Sequence, residues 1–347
     1  MFIYMKKHSI SAYKKAGVDI EFTSEVKAHI KTLVRQTSTP HVLSEIGLFG
    51  GLFRLPKRLT EQVLVASCDG VGTKLYLAQI LNKHSTVGED IVNHCVNDIL
   101  TLGARPLFFL DYIGYSEIKS EVIKEIIKGL TRACKKNRCA LIGGETAMMP
   151  GMYKKGQYDL VGFIVGVVDK DKVIDGKKIA PDDFLIGLPS SGLHTNGYSL
   201  ARKVFFEDND FNVNSTFPEL KKPLGEELLK PHRSYLKELL PVLKYLSGIA
   251  HITGGGFYDN IGRILPSGVS CLINKDAWSV PAIFQLIQRY GKISDEEMYR
   301  VFNMGIGIVV FVSPKYLRKV LNSLHRAQII GRTVKGNFGV KIISQNE

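Results

Sequence analysis

Along the chain, short β-branched runs alternate with stretches in which apolar residues return every three or four positions, the two periods that distinguish strands from helices. Val63 to Ala66 predicts a strand and the apolar period from Lys74 to Leu81 a helix, so Asp69-Gly70-Val71-Gly72-Thr73-Lys74 joins a strand to a helix. From Asp90 to Leu102, Ile91, Cys95, Ile99 and Leu102 with Val92, Val96 and Leu100 predict a helix buried on much of its circumference, interrupted by Asn97 and Asp98. Pro106 to Tyr112 predicts a strand, Glu121 to Lys135 an amphipathic helix, Ala140 to Ile142 a strand ending at Gly143-Gly144, and Tyr158 to Val168 a long strand. Upstream, Ser24 to Val34 carries a loose helical pattern, and Pro40 to Gly51 is rich in turn formers.

Apolar periodicity lapses in the charged stretch from Asp169 to Asp183 and resumes at Phe184. This is the best candidate linker, with a boundary near Asp171. Beyond it, strands are predicted at Phe184 to Leu188, Ile249 to Ile252, Val269 to Ile273, Gly307 to Val312 and Gln328 to Val334. They alternate with helical runs at Leu200 to Glu207, Leu224 to Leu246 with interruptions at Pro231 and Pro241, Ala282 to Tyr290, and Tyr316 to Arg326. A chain of 347 residues exceeds one ordinary core. The expectation is a two-domain α/β protein of the α+β type, with residues 1–170 and 171–347 as its domains.

Composition narrows the class. The chain is 45% hydrophobic and 23% charged, an ordinary globular balance. No apolar run reaches membrane-spanning length, and Met1 to Ile10 has neither the apolar core nor the cleavage site of a secretory signal, so a cytoplasmic protein without a membrane partner is expected. The five cysteines are scattered with no Cys-x-x-Cys pair, which implies neither a disulfide framework nor a cysteine zinc site. The net charge of +13 favours anionic partners, but it comes from dispersed lysines without an aromatic-interleaved stripe, so no nucleic-acid partner is expected.

Candidate chemistry sits at strand ends. In the loop Asp69 to Lys74, Gly70 and Gly72 let backbone approach a phosphate and the following helix start supplies N–H donors near Thr73. There Asp69 would hold a cation and Lys74 would neutralise phosphate charge. The spacing matches neither a P-loop nor the dinucleotide fingerprint, and a tight turn capped by Asp69 explains the same residues. Asp98, beside Asn97, is a carboxylate in an otherwise apolar helix, costly unless paired, hydrogen-bonded or metal-bound; a satisfied structural Asp explains it equally. Glu145-Thr146 follows Gly143-Gly144 at a strand end, where ligands gather in open α/β sheets. Asp69, Asp98 and Glu145 together suggest a hard-cation site, for which Mg²⁺ suits the oxygen ligands. Ser191 to Gly197, with His194 and Asn196, offers hydroxyl, amide and imidazole groups in one turn, unless its Ser and Asn serve only as caps. Thr253-Gly254-Gly255-Gly256 is a second glycine loop that can approach phosphate, or a simple connection. No Gly-x-Ser-x-Gly elbow occurs, and Cys68 reads as an inert buried thiol, so covalent catalysis is not indicated.

Together these segments resemble the phosphoribosylformylglycinamidine cyclo-ligase family, the aminoimidazole ribonucleotide synthetases. The resemblance rests on Tyr13 to Ile20, Asp69 to Lys74, Cys95 to Asp98, Pro106 to Tyr112, Gly143 to Ala147, Met149 to Tyr153, Ser191 to Leu200, Thr253 to Phe257 and Glu297 to Arg300, in order along nearly the whole chain. It implies a homodimer in which an N-terminal domain with a mixed sheet pairs with its partner's sheet, followed by a C-terminal α/β sandwich domain, with the cleft between domains. It implies ATP and Mg²⁺ as cofactors and formylglycinamidine ribonucleotide as substrate. On that model Asp69, Asp98 and Glu145 hold the metal or nucleotide; Lys31, Gly70, Gly72, Thr73, Asn97, Thr146, Thr253, Gly254 and Gly255 flank the cofactor; Ser191, His194 and Asn196 hold the ribonucleotide; and Asp69, Lys74, Asp98 and His194 carry the catalysis. Met148 stands where relatives often carry Glu, so no carboxylate role transfers there, whereas Leu193 and Met304 replace commoner Pro and Cys without changing charge. The alternatives are another ATP-dependent member of the superfamily, of the selenophosphate synthetase or thiamine-monophosphate kinase type, and a basic nucleic-acid binder supported by charge alone.

Overall fold

The computed structural model describes residues 30–44, 51–56 and 61–344, whose strands form two sheets. Residues 30–35 are helical; the earlier part of the helix predicted from Ser24, and the Tyr13 to Ile20 motif, lie outside the described residues. The first sheet holds β1 (Gln62–Gly70), β2 (Arg105–Tyr115), β3 (Ala140–Met148) and β4 (Tyr158–Asp169) in the order β1-β4-β2-β3. It is mixed: β4 runs antiparallel to β1 and β2, while β2 and β3 are parallel. After β1 come a 3₁₀ turn and α1 (Leu75–Ile80), then α2 (Ser85–Thr101) before β2 and α3 (Ser120–Lys136) after it.

The pleat of β1 sorts its side chains. Val65, Ser67 and Asp69 face α2, and the alternate positions Leu64, Ala66 and Cys68 lie exposed on the other face of the sheet. Cys68 is therefore an exposed thiol rather than the buried one expected, because its neighbour Asp69 takes the inward register position. Helices α2 and α3 cross closely at Gly88 and Gly129: a Cβ on Gly129 would sit 1.9 Å from the Ser85 carbonyl oxygen, and one on Gly88 2.3 Å from that of Ile126. Only glycine permits this approach, which settles α2 onto the sheet.

The second sheet holds β5 (Phe184–Pro189), β6 (Leu246–His251), β7 (Val269–Asn274), β8 (Ile306–Val312), β9 (Gln328–Lys335) and β10 (Val340–Ile343) in the order β10-β7-β9-β5-β8-β6. All pairs are antiparallel except β10 with β7. Every residue of β8 is buried, as expected for an unbroken apolar run between two neighbours. Helices α4 (Tyr198–Arg202), α5 (Leu224–Leu228), α6 (Leu236–Leu239), α7 (Gly256–Gly262), α8 (Ala282–Gly291), α9 (Asp295–Val301) and α10 (Leu317–Ser323) fill the connections. The run predicted as one interrupted helix from Leu224 to Leu246 instead breaks into α5, an irregular segment, α6 and a 3₁₀ turn. Pro231 cannot donate to the helix ladder and disfavours helical backbone at Lys230, and the residues after it spend their backbone groups elsewhere. Among the described residues no helix is long and apolar enough to cross a membrane.

Candidate active site

Asp90, Asn93, His94, Asn97 and Asp98 recur at i, i+3, i+4, i+7 and i+8 and so form one polar face of α2. This face meets the irregular segment 230–235 of the second half. Asp90 Oδ1 accepts from the His232 N–H at 2.6 Å, and Asn93 Nδ2 donates to the His232 carbonyl at 2.7 Å. Asn97 accepts from the Tyr235 N–H at 3.0 Å and donates to the Arg233 carbonyl at 2.8 Å. A non-helical buried backbone is thereby satisfied by side chains of one helix, and the two halves are joined.

Lys74 belongs to this joint. Its side chain is fully buried, its ammonium lies 2.8 Å from Asp90 Oδ2, and it donates to the carbonyls of His194 at 2.9 Å and Lys230 at 2.7 Å. The expectation that Lys74 neutralises phosphate is corrected here: an ammonium has three N–H groups, and these acceptors take all of them away from solvent. Burial lowers the Lys74 ammonium and raises the Asp90 carboxyl from their ordinary values, and their mutual contact opposes both shifts.

Two turns along the helix the same face opens onto a cavity of about 310 Å³ whose lining includes Ser67, Asp69, His94, Asp98, His251 and Arg263. His94 Nε2 lies 2.8 Å from Asp69 Oδ2 and 3.6 Å from Asp98 Oδ2, and His251 Nδ1 lies 2.8 Å from Asp98 Oδ1. Ser67 Oγ donates to Asp98 Oδ2 at 3.0 Å. Behind this front, His94 Nδ1 lies 2.7 Å from Thr195 Oγ1, Thr195 Oγ1 lies 3.3 Å from His232 Nδ1, and His232 Nε2 lies 3.1 Å from His251 Nε2. The imidazoles are thus linked in a closed circuit through Thr195 and Asp98. Burial works against the charged form of each group, but the Asp69 hydrogen bond and the nearby carboxylates raise His94 above the ordinary value. Against the same penalty His94 and the Gly70 N–H lower Asp69, and His251 with His94 and Ser67 lowers Asp98. For His251 burial prevails over Asp98 and its value falls.

Of the residues predicted from sequence, the structure brings Asp69, Asp98 and Thr253 to this cavity. The Gly70 N–H donates to Asp69 Oδ1 at 2.6 Å, Gly72 adopts φ of 69°, and Thr73 Oγ1 reaches Ser199 Oγ at 3.1 Å across the two halves. Asn97 is buried in the joint described above. Asn196 lies against Gly254, whose Cβ would stand 3.4 Å from Asn196 Oδ1, and Gly255, the residue before α7, has φ of 88°. Ser191 Oγ donates to the Pro231 carbonyl at 2.6 Å. His194 is sealed behind the wall: its ring stacks on His232 at 3.9 Å between centroids, and its Nε2 accepts from the Ser191 N–H at 3.2 Å. Burial, followed by the charges of His251 and Lys74, drives His194 well below the ordinary imidazole value.

Glu145 and Thr146 stand apart. Asp69, Gly162, Asp111 and Gly144 form one register row across β1, β4, β2 and β3, so the β3 edge lies three strand spacings, about 14 Å, from Asp69. The expected three-carboxylate cation site is therefore corrected: within one chain, a single ion cannot bind Asp69, Asp98 and Glu145. Lys31 is exposed in the helical residues 30–35, and the turn after them is tied to β3 by the Leu141 N–H donating to Thr37 Oγ1 at 2.9 Å. Sequence reasoning missed Asp90, His94, His232 and His251. The first two were legible as members of the α2 stripe; the last two are brought in by the tertiary fold.

Two family models cover the chain: residues 51–168 match "AIR synthase related protein, N-terminal domain" and residues 180–343 its C-terminal domain. A phosphoribosylformylglycinamidine cyclo-ligase of Thermoanaerobacter sp. (strain X514) is 52% identical over 94% of this chain and 99% of its own length. One from Alkaliphilus metalliredigens (strain QYMF) is 49% identical over 94% of this chain and 96% of its own. The chain belongs to the phosphoribosylformylglycinamidine cyclo-ligase family. It is an enzyme of that family, with the family's two domains. Solved structures share the fold at low identity: thiamine-monophosphate kinase from Stenotrophomonas maltophilia K279a, 17% identical, covers 95% of this chain and 98% of its own with a TM-score of 0.63. The hydrogenase maturation protein HypE in complex with ATP is 16% identical and covers 90% of this chain and 89% of its own with a TM-score of 0.62. These likenesses establish a shared architecture and no more.

Proposed function

We propose that the chain uses ATP to close the imidazole ring, converting formylglycinamidine ribonucleotide to aminoimidazole ribonucleotide with release of ADP and phosphate in purine biosynthesis. The observation that carries this reading is the convergence of Asp69, His94, Asp98 and His251 on one cavity in a chain that matches cyclo-ligases over 94% of its length. In the reaction the γ-phosphoryl group passes to the formamide oxygen, the amidine nitrogen attacks the formyl carbon, and the C–O bond breaks with the oxygen leaving on phosphate. One proton is lost from the attacking nitrogen. Because phosphorylation makes the leaving group, the protein needs chiefly to position the reactants and neutralise charge.

Domain 1–170 supplies Asp69 and Asp98, whose carboxylates suit Mg²⁺ carried by the nucleotide; the ion would neutralise the phosphates. The Gly70 to Thr73 backbone and the Thr253 to Gly255 loop lie alongside the phosphates. Domain 171–347 supplies Ser191 and Asn196 toward the ribonucleotide, and the sealed His194 supports His232 rather than touching substrate. A homodimer formed through the outer face of the first sheet would cover Leu64, 56% exposed, and Phe163, 39% exposed; size-exclusion chromatography with light scattering checks it. The enzyme works in the cytoplasm on small molecules, without a nucleic-acid or membrane partner.

An assay of ADP release with formylglycinamidine ribonucleotide, thiamine monophosphate and selenide, each in turn, tests the reading. ADP forms with the first alone. Failure with that substrate, or faster turnover of either other one, would overturn it.

A further inference from the structure

We infer that a second cavity, beyond the C-terminal end of α2, is a binding site for a nucleoside monophosphate. The cavity, of about 800 Å³, lies mainly between the stretches 103–107 and 167–175 and the stretch 240–247 of the second half. It shares no lining residue with the cavity that holds Asp69 and Asp98, so the inference goes beyond the ring-closing reaction and does not rest on it. Leu64 and Phe163, assigned above to a dimer face, are not part of its wall either.

The wall is largely apolar. Leu107 and Val167 come from the first domain, Leu240 and Leu243 from the second, and Ile174 from the linker that joins them. A ligand seated there would touch both domains and the linker. The volume falls within the range of roughly 300 to 1,000 Å³ usual for small-molecule sites, which combine such walls with a few placed polar groups.

One of those polar groups is a buried acceptor without a donor. Asp169, at the end of β4, lines the cavity and is only 9% exposed. Its Oδ2 accepts from the Lys172 ammonium, whereas its Oδ1 is buried and has no hydrogen-bond partner among the described residues. An unpaired buried carboxylate oxygen is costly. A ligand N–H or O–H would satisfy it.

The remaining charge on the wall is positive. Lys172 pairs with Asp169 and Asp175 with Lys177, which leaves Arg105, Lys178 and Lys244 facing Asp171 alone. Neither Arg105 nor Lys178 makes an ion pair or a side-chain hydrogen bond among the described residues, and both are exposed, free to turn toward an anion. Arg105 also stands near the orphaned carboxylate: its charge opposes the rise that the Asp169 hydrogen bond gives the Lys172 ammonium.

These groups set three requirements at once. The ligand needs a body that covers apolar wall, a donor for Asp169 Oδ1, and an anionic end for the guanidinium and ammonium groups. An inorganic anion lacks the first two, and a neutral apolar molecule lacks the third. A nucleoside monophosphate has ring faces, ring or amino N–H groups, and a phosphate that arginine can take with two parallel bonds.

The test is equilibrium dialysis of radiolabelled AMP and GMP against the full-length protein, with a saturating β,γ-methylene ATP analogue and Mg²⁺ present to occupy the reaction cavity. One equivalent of at least one nucleotide is expected to bind. Ribose 5-phosphate, which lacks the ring, and the free nucleoside, which lacks the phosphate, should each bind on the order of 10-fold more weakly or less. Arg105→Glu combined with Lys178→Glu should weaken nucleotide binding by a similar factor or more, and Leu243→Trp, which fills the cavity, should abolish it. Both variants should keep their ADP release, which also shows that they fold, and Asn196→Ala in the reaction cleft should leave this binding unchanged. The charge-reversed pair changes only exposed side chains and keeps the test decisive if the tryptophan is not accommodated. No uptake of either nucleotide, uptake unchanged in the charge-reversed pair, or ribose 5-phosphate bound as tightly as the nucleotide would overturn the site.

Discussion

At one end of the α2 polar face Asp90 meets Lys74 where neither side chain has any exposed surface; roughly 12 Å along the helix, Asp98 meets His251 on the wall of a cavity, with Asp69 and His94 beside it. The residue types are similar and the surroundings are not. At the first end the ammonium and the carboxylate are held by each other and by the backbone of His194 and of segment 230–235. At the second, Asp69 remains 44% exposed and Asp98 26% exposed in their side chains, with oxygens available to a ligand. A buried charge inside a complete set of partners holds structure; the same charge set at a cavity with imidazoles behind it is ready for chemistry. Sequence alone puts Lys74 and Asp69 in one loop, as phosphate-binding cation and metal-binding carboxylate, and the fold separates them.

Breaking the sealed end gives the largest effect. Lys74→Met leaves Asp90 buried without its cation and should destabilise the protein by about 3–5 kcal/mol, read by urea denaturation. An activity loss without this destabilisation would return Lys74 to the phosphates. Asp69→Asn acts at the open end: turnover falls on the order of 10²- to 10³-fold while the denaturation midpoint stays close to that of the parent. Full turnover in this variant would remove Asp69 from the mechanism. Asn97→Ala strips partners from the Tyr235 N–H and the Arg233 carbonyl and should cost about 1–3 kcal/mol, measured in the same denaturation series.

The smallest effect is on pH dependence. His194, His232 and His251 are lowered first by burial, so below the ordinary histidine value of 6.5 the unfolded chain binds protons that the native protein does not. Their contribution to stability falls as pH drops below about 6.5. His94 is raised and works in the opposite sense: its contribution is complete below 6.5 and fades as pH rises through its folded value. Asp69 and Asp98, both lowered, lose theirs only as pH falls from the ordinary carboxylate value of 3.8 through their folded values. With three imidazoles against one, the denaturation midpoint should be lower at pH 5.5 than at pH 7.5, and equal or reversed midpoints would contradict this account of the cluster.

Much of the fold was legible because it rests on local period. The apolar run of β8 and the Ile123, Ile126, Ile127 and Leu130 face of α3 each carry one unambiguous pattern. Segment 230–235 was not, since its shape depends on Asp90, Asn93 and Asn97 offering bonds that a helix would otherwise supply. The short α9 and β10 went unread among the local signals. In the site, Asp69 and Asp98 were found one by one from the cost of a carboxylate at a strand end or in an apolar helix. The α2 stripe, taken whole, would also have found Asp90, Asn93 and His94. His232 and His251 carry no local mark, because one follows a proline in an irregular segment and the other ends an ordinary strand. Glu145 shows the converse: expected at a strand end like that of Asp69, it lies within β3, on the opposite sheet edge once β4 and β2 intervene.

The central claim is that this cavity activates a formamide oxygen by phosphorylation before ring closure. The direct measurement is to supply formylglycinamidine ribonucleotide labelled with ¹⁸O at the formyl group and determine where the label goes. One ¹⁸O is expected in each phosphate released and none in water; label appearing in water, with unlabelled phosphate, would contradict phosphorylation of the formamide oxygen.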